Sequence, residues 1–303
     1  MRALRVHAYG GMLTADDVPV PVAAAGQVLV RVAATSLNPI DPGRASGTMR
    51  ETFPTTFPWI PGGDVSGIVD GFGADVTGFA PGDAVFGYAA NGGAYAEFMS
   101  VDAAALAIKP EAISHRSAAG MAVAGQTAMA AVAAAKIQSG NTVLIHGGAG
   151  GVGTLAMQLA KARGARVIVT ALAAQAGALR KYGAAQVIDY AKTRFEDVVK
   201  SVDAVIDLVG GDVQTRSIGI IRPGGVLVAA NQAPDANACA AHGITGVMVQ
   251  VDVRTAGLLE FANRIASGDL LAVTDHVETL WDPTALWRDR PAGKTVGKIV
   301  FEA

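Results

Sequence analysis

The sequence predicts an α/β protein in which a β-rich region is followed by a doubly wound parallel sheet. Two observations indicate this class. Up to about residue 110 the chain consists of short β-like runs, such as 27–36 and 81–88, separated by Pro-Gly and Gly-Gly pairs. After Glu111, long helical patterns alternate with short apolar runs, which is typical of βαβ units. Because 303 residues exceed the usual size of one domain, about 100 to 200 residues, we expect two domains.

The apolar runs after Glu111 supply the predicted strands of the parallel sheet. They are short and rich in β-branched residues, and helical patterns separate most of them. Six strands of this kind match a Rossmann sheet. The six runs are residues 142–147, 166–171, 186–190, 204–210, 225–231 and 245–251.

A glycine-rich segment, "HGGAGGVG" at residues 146–153, joins the first of these strands to a helical pattern that begins at Thr154. Glycine clusters also occur in turns, where a positive φ costs glycine little. Here the segment contains G-x-G-x-x-G as Gly148, Gly150 and Gly153, between a strand and a helix. This pattern allows a tight turn and a close approach of the backbone to a pyrophosphate, which the N–H groups at the helix start bind. It predicts a dinucleotide site.

The segment beyond Asp252 begins with an amphipathic helical pattern, "TAGLLEFANRIASG", and ends with two strand-like segments, 273–280 and 295–301. We infer that this tail returns to the β-rich domain, which is then discontinuous in sequence. The predicted divisions are residues 1–113 (β-rich domain, first part), 114–252 (dinucleotide-binding domain) and 253–303 (return to the β-rich domain).

The composition argues against several classes of function. The net charge is −2 and the pI is about 6.2, so we expect no nucleic acid partner. The N-terminus shows no apolar region of a secretory signal, and we expect a cytoplasmic protein. The apolar stretch 117–136 is long enough to span a bilayer, but it consists mainly of Ala and Gly, with Gln126 and Thr127 at its centre. It indicates a helix packed inside the protein, and we expect no membrane partner.

Cysteine and histidine usage bears on disulfides and metals. Cys239 is the only cysteine in the sequence, so no disulfide can form within one chain, which agrees with a reducing compartment. The five histidines show no paired spacing, whereas a zinc site needs three or four ligands of the right type. We therefore expect no metal site.

Several motifs together resemble a known family. They are "SLNPID" at 36–41, "PWIPGGDVSGIV" at 58–69, "PGDAVFG" at 81–87, "GGAYAEF" at 92–98, "KPEAISHRSAAGMAVAGQTA" at 109–128, the glycine-rich segment and "GKIVF" at 297–301. With these motifs the chain resembles the medium-chain dehydrogenase/reductase superfamily, and within it the zinc-independent quinone oxidoreductases related to zeta-crystallin. The resemblance implies a GroES-like fold for the β-rich domain and a Rossmann fold for the other.

The chain departs from the zinc alcohol dehydrogenases of the same superfamily. Those enzymes place a cysteine ligand in the segment that matches 36–41 and a Gly-His-Glu where this chain has Gly63 and Asp64. They also commonly carry a cluster of four cysteines. Without zinc there is no Lewis acid to stabilise an alkoxide, so we expect reduction of an activated acceptor rather than interconversion of simple alcohols and carbonyls.

The resemblance also implies active-site residues. Asn38 matches the family's active-site asparagine, near the nicotinamide ribose and the substrate, although an asparagine before Pro39 also caps turns. Thr127 matches the threonine that faces the nicotinamide, and the alternative is a hydroxyl bonded back to its own helix. Tyr88 and Tyr95 are candidate proton donors, but such tyrosines also pack in β-rich domains, and solvent is a further proton source. Asp41 is better explained as a turn or helix cap.

The cofactor prediction depends on the end of the second parallel strand. NAD enzymes usually carry an acid there, and this chain has Thr170 and Ala171, so we predict NADPH over NADH. The family's NADP enzymes usually add Ser or Thr and Lys in the next loop, where this chain has Ala173, Gln175 and Ala176, and Arg180 or Arg194 are alternative cationic groups. The predicted cofactor-binding residues are Asn38, Thr127, Gly148, Ala149, Gly150, Gly151, Val152, Gly153, Thr170, Tyr190 and Lys298.

Three functions follow. The first is an NADPH-dependent reductase of quinones by hydride or electron transfer, and the second is an ene-reductase of α,β-unsaturated carbonyls, both with a small-molecule substrate. The third, from another class, is a non-catalytic nucleotide- or RNA-binding protein, which the acidic pI disfavours. The resemblance further implies a homodimer, joined through the edge strand at 245–251.

Overall fold

A computed structural model describes residues 1–274, 276–287 and 295–303. The first part of the chain forms a two-stranded antiparallel sheet, β1 and β2, and most of a seven-stranded sheet in the order β14-β15-β3-β4-β5-β7, with β6 paired to β3. One short helix, α1, follows β3. The elements are β1 (Arg2–Arg5), β2 (Thr14–Asp17), β3 (Gln27–Ser36), α1 (Ile40–Ser46), β4 (Asp64–Phe72), β5 (Ala84–Tyr88), β6 (Phe98–Asp102) and β7 (Leu106–Ile108).

The first part of β3 alternates between buried and more exposed residues. In β3, Val28, Val30 and Val32 are buried, and they pack in one cluster with Val65 of β4 and Val85 of β5. Alternation of this kind is the pattern of an antiparallel sheet with one face on a core.

The second part forms a six-stranded sheet, all parallel, in the order β10-β9-β8-β11-β12-β13. Apolar clusters cover both faces. The fold class predicted from the sequence is therefore confirmed. The strands are β8 (Thr142–His146), β9 (Arg166–Ala171), β10 (Gln186–Asp189), β11 (Val202–Asp207), β12 (Ile221–Ala229) and β13 (Thr245–Met248).

Strand β12 begins four residues before the predicted start at residue 225. The sequence there, Pro223-Gly224-Gly225, is typical of a turn. In the structure it forms an irregularity in the strand, because the pairing register with β11 shifts between Ile221 and Val226. A Cβ on Gly225 would lie 2.6 Å from the carbonyl oxygen of Asp203, so the close approach of β11 requires glycine.

The helices and the last two strands complete the fold. Strand β15 lies antiparallel to β3, with Val300 opposite Ser36, so the end of the chain joins the seven-stranded sheet. The domain boundaries given above remain predictions. These elements are α2 (His115–Ala134), α3 (Gly151–Ala162), α4 (Ala176–Tyr182), α5 (Phe195–Val198), α6 (Asp212–Ser217), α7 (Ala236–Ala241), α8 (Thr255–Ala266), β14 (His276–Thr279), α9 (Pro283–Leu286) and β15 (Ile299–Glu302).

Helix α2 packs against both sheets. It contacts β3, β4, β5 and β15 of one sheet, β12 of the other, and helices α3 and α8. Small residues permit this packing, since a Cβ on Gly125 would lie 2.7 Å from the ring of Phe261. By length and composition α2 could cross a membrane, but 56% of its apolar stretch is buried in the protein, as in the core helix of a soluble protein.

The arrangement of strands creates one crevice and brings the end of the chain to it. Strand β8 has β9 on one side and β11 on the other, so the strand order reverses beside it, and ligands of such sheets bind at the carboxyl ends of the strands at this point. The segment before β15 runs along the crevice: Gly297 N–H donates to the Ala149 carbonyl (2.8 Å), and Gln175 Nε2 donates to the Thr295 carbonyl (2.7 Å).

Candidate active site

The glycine-rich segment forms the turn between β8 and α3, and close contacts require glycine at two of its positions, Gly148 and Gly153. A Cβ on Gly148 would lie 2.6 Å from Cβ of Val169 on β9, and a Cβ on Gly153 would overlap the carbonyl oxygen of Gly147. Gly150, by contrast, is exposed. Gly148 and Gly153 therefore pack the turn against the strand and the helix, and Gly150 leaves backbone open to the crevice.

The N-terminus of α3 is available to an anion. Gly150 is the N-cap and supplies no side-chain acceptor, and the structure records no acceptor for the N–H groups of Val152 and Gly153 among the described residues. Ala149 and Gly151 lie in the same turn. A pyrophosphate fits this cradle, because it accepts hydrogen bonds and is stabilised by the positive end of the helix dipole.

A buried histidine lies below the turn. His146 ends β8, and its Nδ1 and Nε2 lie 3.1 Å from Thr170 Oγ1 and 2.9 Å from Ser217 Oγ. Ser217 donates its own hydrogen to the Val213 carbonyl, so it accepts from His146 Nε2, and Nδ1 accepts from Thr170. Burial lowers the pKa of His146 to about 4, so the ring is neutral at pH 7.

Thr170, predicted to contact the cofactor, lies at the end of β9 and is 5% exposed. Its hydroxyl hydrogen is held by His146, and its carbonyl accepts from Gly148 N–H (3.2 Å). Thr170 therefore shapes the glycine-rich turn from below. Sequence reasoning missed His146, although a polar residue at the end of a buried strand was a signal.

The next strand end along the crevice is also polar. Asp207, at the end of β11, accepts from the N–H groups of Val209 and Gly210 and from Gln214 Nε2. It thereby fixes the loop between β11 and α6 beside Gly147. At the opposite end of the crevice, Tyr190 is 59% exposed.

The arginines suggested as a source of positive charge lie near the same end. Arg194 Nη2 lies 2.6 Å from Glu196 Oε1 in an ion pair, and Arg180 is exposed on α4.

Asn38 lies in a buried polar cluster that we call the Asp64 network, formed by Ser36, Asn38, Asp64 and Lys298. Asp64 Oδ2 accepts from Ser36 Oγ, from Asn38 Nδ2 (2.8 Å) and from Lys298 Nζ (3.3 Å). Lys298 Nζ also donates to Asn38 Oδ1 (2.6 Å) and to the Leu37 carbonyl (2.7 Å). All three ammonium hydrogens thus have protein acceptors.

Two backbone contacts tie this network to the crevice. Asp64 Oδ1 accepts from the N–H of Val123 on α2 (3.0 Å). The side chain of Lys298 lies so close to Gly151 that a Cβ there would overlap it. Asn38 from one sheet and the start of α3 from the other are therefore held by the same lysine.

Lys298 was predicted to bind the cofactor, and the structure assigns it other partners. Because its ammonium group donates to Leu37, Asn38 and Asp64, it has no hydrogen left for a pyrophosphate. Only its methylene chain lies against the glycine-rich turn.

Asp41 supports the loop that carries Asn38. Its carboxylate accepts from the N–H groups of Asn38 (2.9 Å) and Gly62 (3.1 Å). Burial raises the pKa of Asp41 to about 6, and these two hydrogen bonds oppose that rise. Its contacts are those of a side chain that fixes a loop, although Asp41 lies within α1 and the N-cap residue of that helix is Pro39.

The two candidate tyrosines pack on adjacent glycines and differ in access. A Cβ on Gly63 would overlap the ring of Tyr88, and one on Gly62 would overlap the ring of Tyr95. Tyr95 has no exposed surface and its ring packs edge-on against Phe301, so we remove it from the candidate proton donors.

Tyr88 remains a candidate. It is partly exposed, stands opposite Asp64 in the β4–β5 ladder, and has no recorded hydrogen bond from its hydroxyl to the described residues. Burial, together with the charges of Asp64 and Asp41, raises the pKa of Tyr88. Its hydroxyl therefore holds its proton at pH 7.

Thr127 lies on α2, one turn after Val123, and its hydroxyl donates to the Val123 carbonyl (2.7 Å). This is the alternative weighed from the sequence, a hydroxyl bonded to its own helix. Since Val123 N–H is bound by Asp64, Thr127 lies beside the Asp64 network. Asn38, Thr127, Tyr88 and Gly151 thus lie in one region, and Thr170 and Tyr190 lie along β9 and β10.

The chain matches known families over most of its length. Residues 24–111 match the alcohol dehydrogenase GroES-like domain, and residues 151–251 match the zinc-binding dehydrogenase domain. Quinone oxidoreductase of Mus musculus is 34% identical over 75% of this chain and 72% of its own length. NADPH-dependent alkenal/one oxidoreductase of Arabidopsis thaliana, a chloroplastic protein, is 34% identical over 76% of this chain, but the chain spans only 62% of its length.

A solved structure covers the whole chain. Quinone oxidoreductase of Escherichia coli, complexed with NADPH, is 26% identical, superimposes with a TM-score of 0.88, and covers 100% of both chains.

We expect His146 to make stability depend on pH. Because the pKa falls from 6.5 in the unfolded chain to about 4 in the folded protein, the unfolded state binds the proton more tightly. The contribution of neutral His146 to the free energy of unfolding is then fully present above pH 6.5. It is lost as the pH falls towards 4, and the total loss is about 3 kcal/mol. Denaturant titrations of the protein and of His146→Gln at pH 7.5, 6, 5 and 4.5 measure this, and the loss should shrink in the variant. Equal slopes for both proteins would show that His146 is not responsible.

Proposed function

Because the chain belongs to the quinone oxidoreductases of the medium-chain dehydrogenase/reductase superfamily, it is an oxidoreductase, and we propose that it reduces quinones with NADPH and without zinc. The observation that supports this most directly is that Lys298 contacts both the glycine-rich turn and Asn38. The turn fits a dinucleotide, and the Lys298 side chain packs against Gly151 of the turn while its ammonium group donates to Asn38 Oδ1. A cofactor on the turn would therefore present its reacting end near Asn38.

The residues of the chain have positioning and proton-transfer roles. The bound nicotinamide cofactor would supply a hydride. The N–H groups of Val152 and Gly153 would hold its pyrophosphate. Asn38 Nδ2 uses one hydrogen on Asp64, and its second hydrogen has no recorded acceptor among the described residues, so it can polarise an acceptor oxygen. Tyr88 is protonated at pH 7 and is the candidate donor to the reduced oxygen, but its raised pKa makes it a weaker acid than a free tyrosine, and solvent is the alternative donor.

We propose that zinc takes no part in the reaction, because the carboxylate at the position of the zinc ligands is already bound by protein donors. Asp64, at the position of the zinc enzymes' Gly-His-Glu segment, already accepts from Ser36, Asn38, Val123 and Lys298. A metal would have to compete with an adjacent ammonium group for this carboxylate. Within the described ranges, no group of three His, Cys, Asp or Glu side chains is placed to hold a metal.

NADPH is proposed over NADH for two reasons. The end of β9 itself carries Thr170 and Ala171 in place of the acid usual in NAD enzymes, although Asp189 of β10 stands opposite Ala171, and the exposed Tyr190 follows the end of β10. The Arabidopsis relative is named as NADPH-dependent, and the Escherichia coli structure was solved with NADPH.

Reduction of α,β-unsaturated carbonyls is the second candidate function. The alkenal/one oxidoreductase relative favours it, and an enone oxygen needs the same polarisation and the same proton as a quinone oxygen. We propose a small-molecule quinone or enone as the substrate, with no nucleic acid partner, no membrane partner and a cytoplasmic location. The net charge of −2 supports the absence of a polyanionic partner.

The decisive experiment is the initial rate of NADPH oxidation at 340 nm, with NADH in parallel, against quinones and enones in the presence of EDTA. We expect turnover of quinones with NADPH preferred. Turnover of enones alone would favour the second function. Tight NADPH binding without turnover of either class would contradict an enzymatic role, and loss of activity in EDTA would contradict zinc-independence.

Tyr88→Phe should lower kcat about tenfold or more if Tyr88 donates the proton, because general acid catalysis contributes about 100- to 10,000-fold and solvent replaces part of it. The Kd for NADPH should not change, since the hydroxyl has no bond to the turn. Steady-state rates and fluorescence titration measure the two effects, and Tyr95→Phe is the matched control with an unchanged kcat. An unchanged kcat in Tyr88→Phe would assign the proton to solvent.

We also propose a homodimer joined through β13. This strand is the edge of the parallel sheet, and Val247 and Met248 on it are partly exposed. Exposed edges are usually covered, and pairing with a second copy would do so. Sedimentation at micromolar concentration should give twice the mass of 30.7 kDa, and a monomer would contradict the proposal.

A further inference from the structure

We propose that Asp64 and Lys298 are positioning residues that fix the orientation of the Asn38 amide, and that Lys298 is not a ligand of the cofactor. The proposal rests on the proposed function, in which Asn38 polarises the acceptor. Its basis is the Asp64 network, whose members come from β3, the loop after it, β4 and the segment before β15.

An asparagine amide can be rotated by 180° with little change in shape, so its two ends must be distinguished by their partners. Here one partner can only donate hydrogen bonds and the other can only accept them. Lys298 Nζ can only donate, and it lies 2.6 Å from Asn38 Oδ1. Asp64, when ionised, can only accept, and it lies 2.8 Å from Asn38 Nδ2. Rotation of the amide would set an NH₂ against an ammonium and an oxygen against a carboxylate.

Burial strengthens this selection. Asp64 has no exposed surface, and Asn38 and Lys298 are 8% and 7% exposed. In such surroundings an unpaired donor or acceptor is costly, so the wrong orientation of the amide is strongly disfavoured. The correct orientation directs the second Nδ2 hydrogen away from Asp64, where it is free for a substrate or cofactor oxygen.

The network also sets the position of Asn38 relative to the dinucleotide turn. Lys298 follows Gly297, whose N–H donates to Ala149, and the lysine methylenes lie against Gly151. Asp64 is fixed in turn by Val123 N–H of α2. Asn38 is therefore placed from two directions, by contacts with the turn and with α2, and neither contact uses a group of the cofactor.

The test is a double-mutant cycle with four readouts. The variants are Asp64→Asn, Lys298→Met and the double variant, in which no buried charge is left uncompensated. The matched control is Arg116→Gln/Glu302→Gln, which removes an exposed ion pair that also links α2 to β15. For each protein we would measure the thermal midpoint, the Kd for NADPH by fluorescence, kcat and KM, and the Asn38 side-chain amide signals in protein labelled with ¹⁵N-asparagine, assigned with Asn38→Ala.

We expect both single variants to unfold at lower temperature, because each leaves a buried charge unpaired. The thermal midpoint of the double variant should return most of the way to that of the original protein, and its Kd for NADPH should lie within about threefold of the original value. Its kcat should still fall about tenfold or more, because misplacement of a catalytic group by about 1 Å can lower the rate about a hundredfold. Its Asn38 amide signals should shift, and those of the control, together with its kcat, should not.

Three results would overturn the proposal. A double variant with the original kcat would show that the network only stabilises the fold. A Kd for NADPH raised tenfold or more in Lys298→Met with kcat unchanged would make Lys298 a cofactor ligand. Unchanged Asn38 amide signals in the double variant would show that the amide is oriented by other groups. This last readout needs no substrate, so it decides the proposal even if no quinone or enone is reduced and the proposed function fails.

Discussion

A carboxylate without exposed surface must find all of its hydrogen-bond donors inside the protein, and Asp64 finds them in four segments of the chain. Ser36, Asn38, Val123 and Lys298 each supply one donor, so β3, the loop before α1, helix α2 and the C-terminal segment must converge on the start of β4. An unpaired buried charge costs several kcal/mol, which makes this convergence a condition of folding. The seven-stranded sheet, the packing of α2 and the place of Asn38 in the crevice all satisfy it.

Much of the fold could be read from the sequence because it follows from local patterns. The six parallel strands were recognisable from short β-branched runs, and the glycine-rich turn from its spacing between a strand and a helix. The start of β12 differed from the prediction because it depends on a contact with another strand. Residues 223–225 belong to β12 because Asp203 of β11 approaches Gly225 closely, which the local sequence does not reveal.

The candidate site was predictable only in part. Asn38, Thr127 and the glycines came from motifs, but the partners of Asn38 lie 26 and 260 residues away, and no spacing rule joins them. For the same reason the sequence did not separate Tyr88 from Tyr95, since their difference lies in burial against neighbouring glycines. Lys298 came from its motif as a cofactor-binding residue, and its contacts with Leu37, Asn38 and Asp64 could not be foreseen, because all three lie more than 200 positions away in the sequence.

The distance in sequence between Asp64 and Lys298 has a consequence for biosynthesis. The two residues are 234 positions apart, and a ribosome adds about 5 to 20 residues per second. Asp64 is therefore made on the order of 10 to 50 seconds before its counter-charge, and β3 waits slightly longer for β15. During that interval the nascent N-terminal part has an unneutralised carboxylate and an open strand edge, while the parallel sheet is already being synthesised. The site is therefore complete only after the segment before β15 has been synthesised.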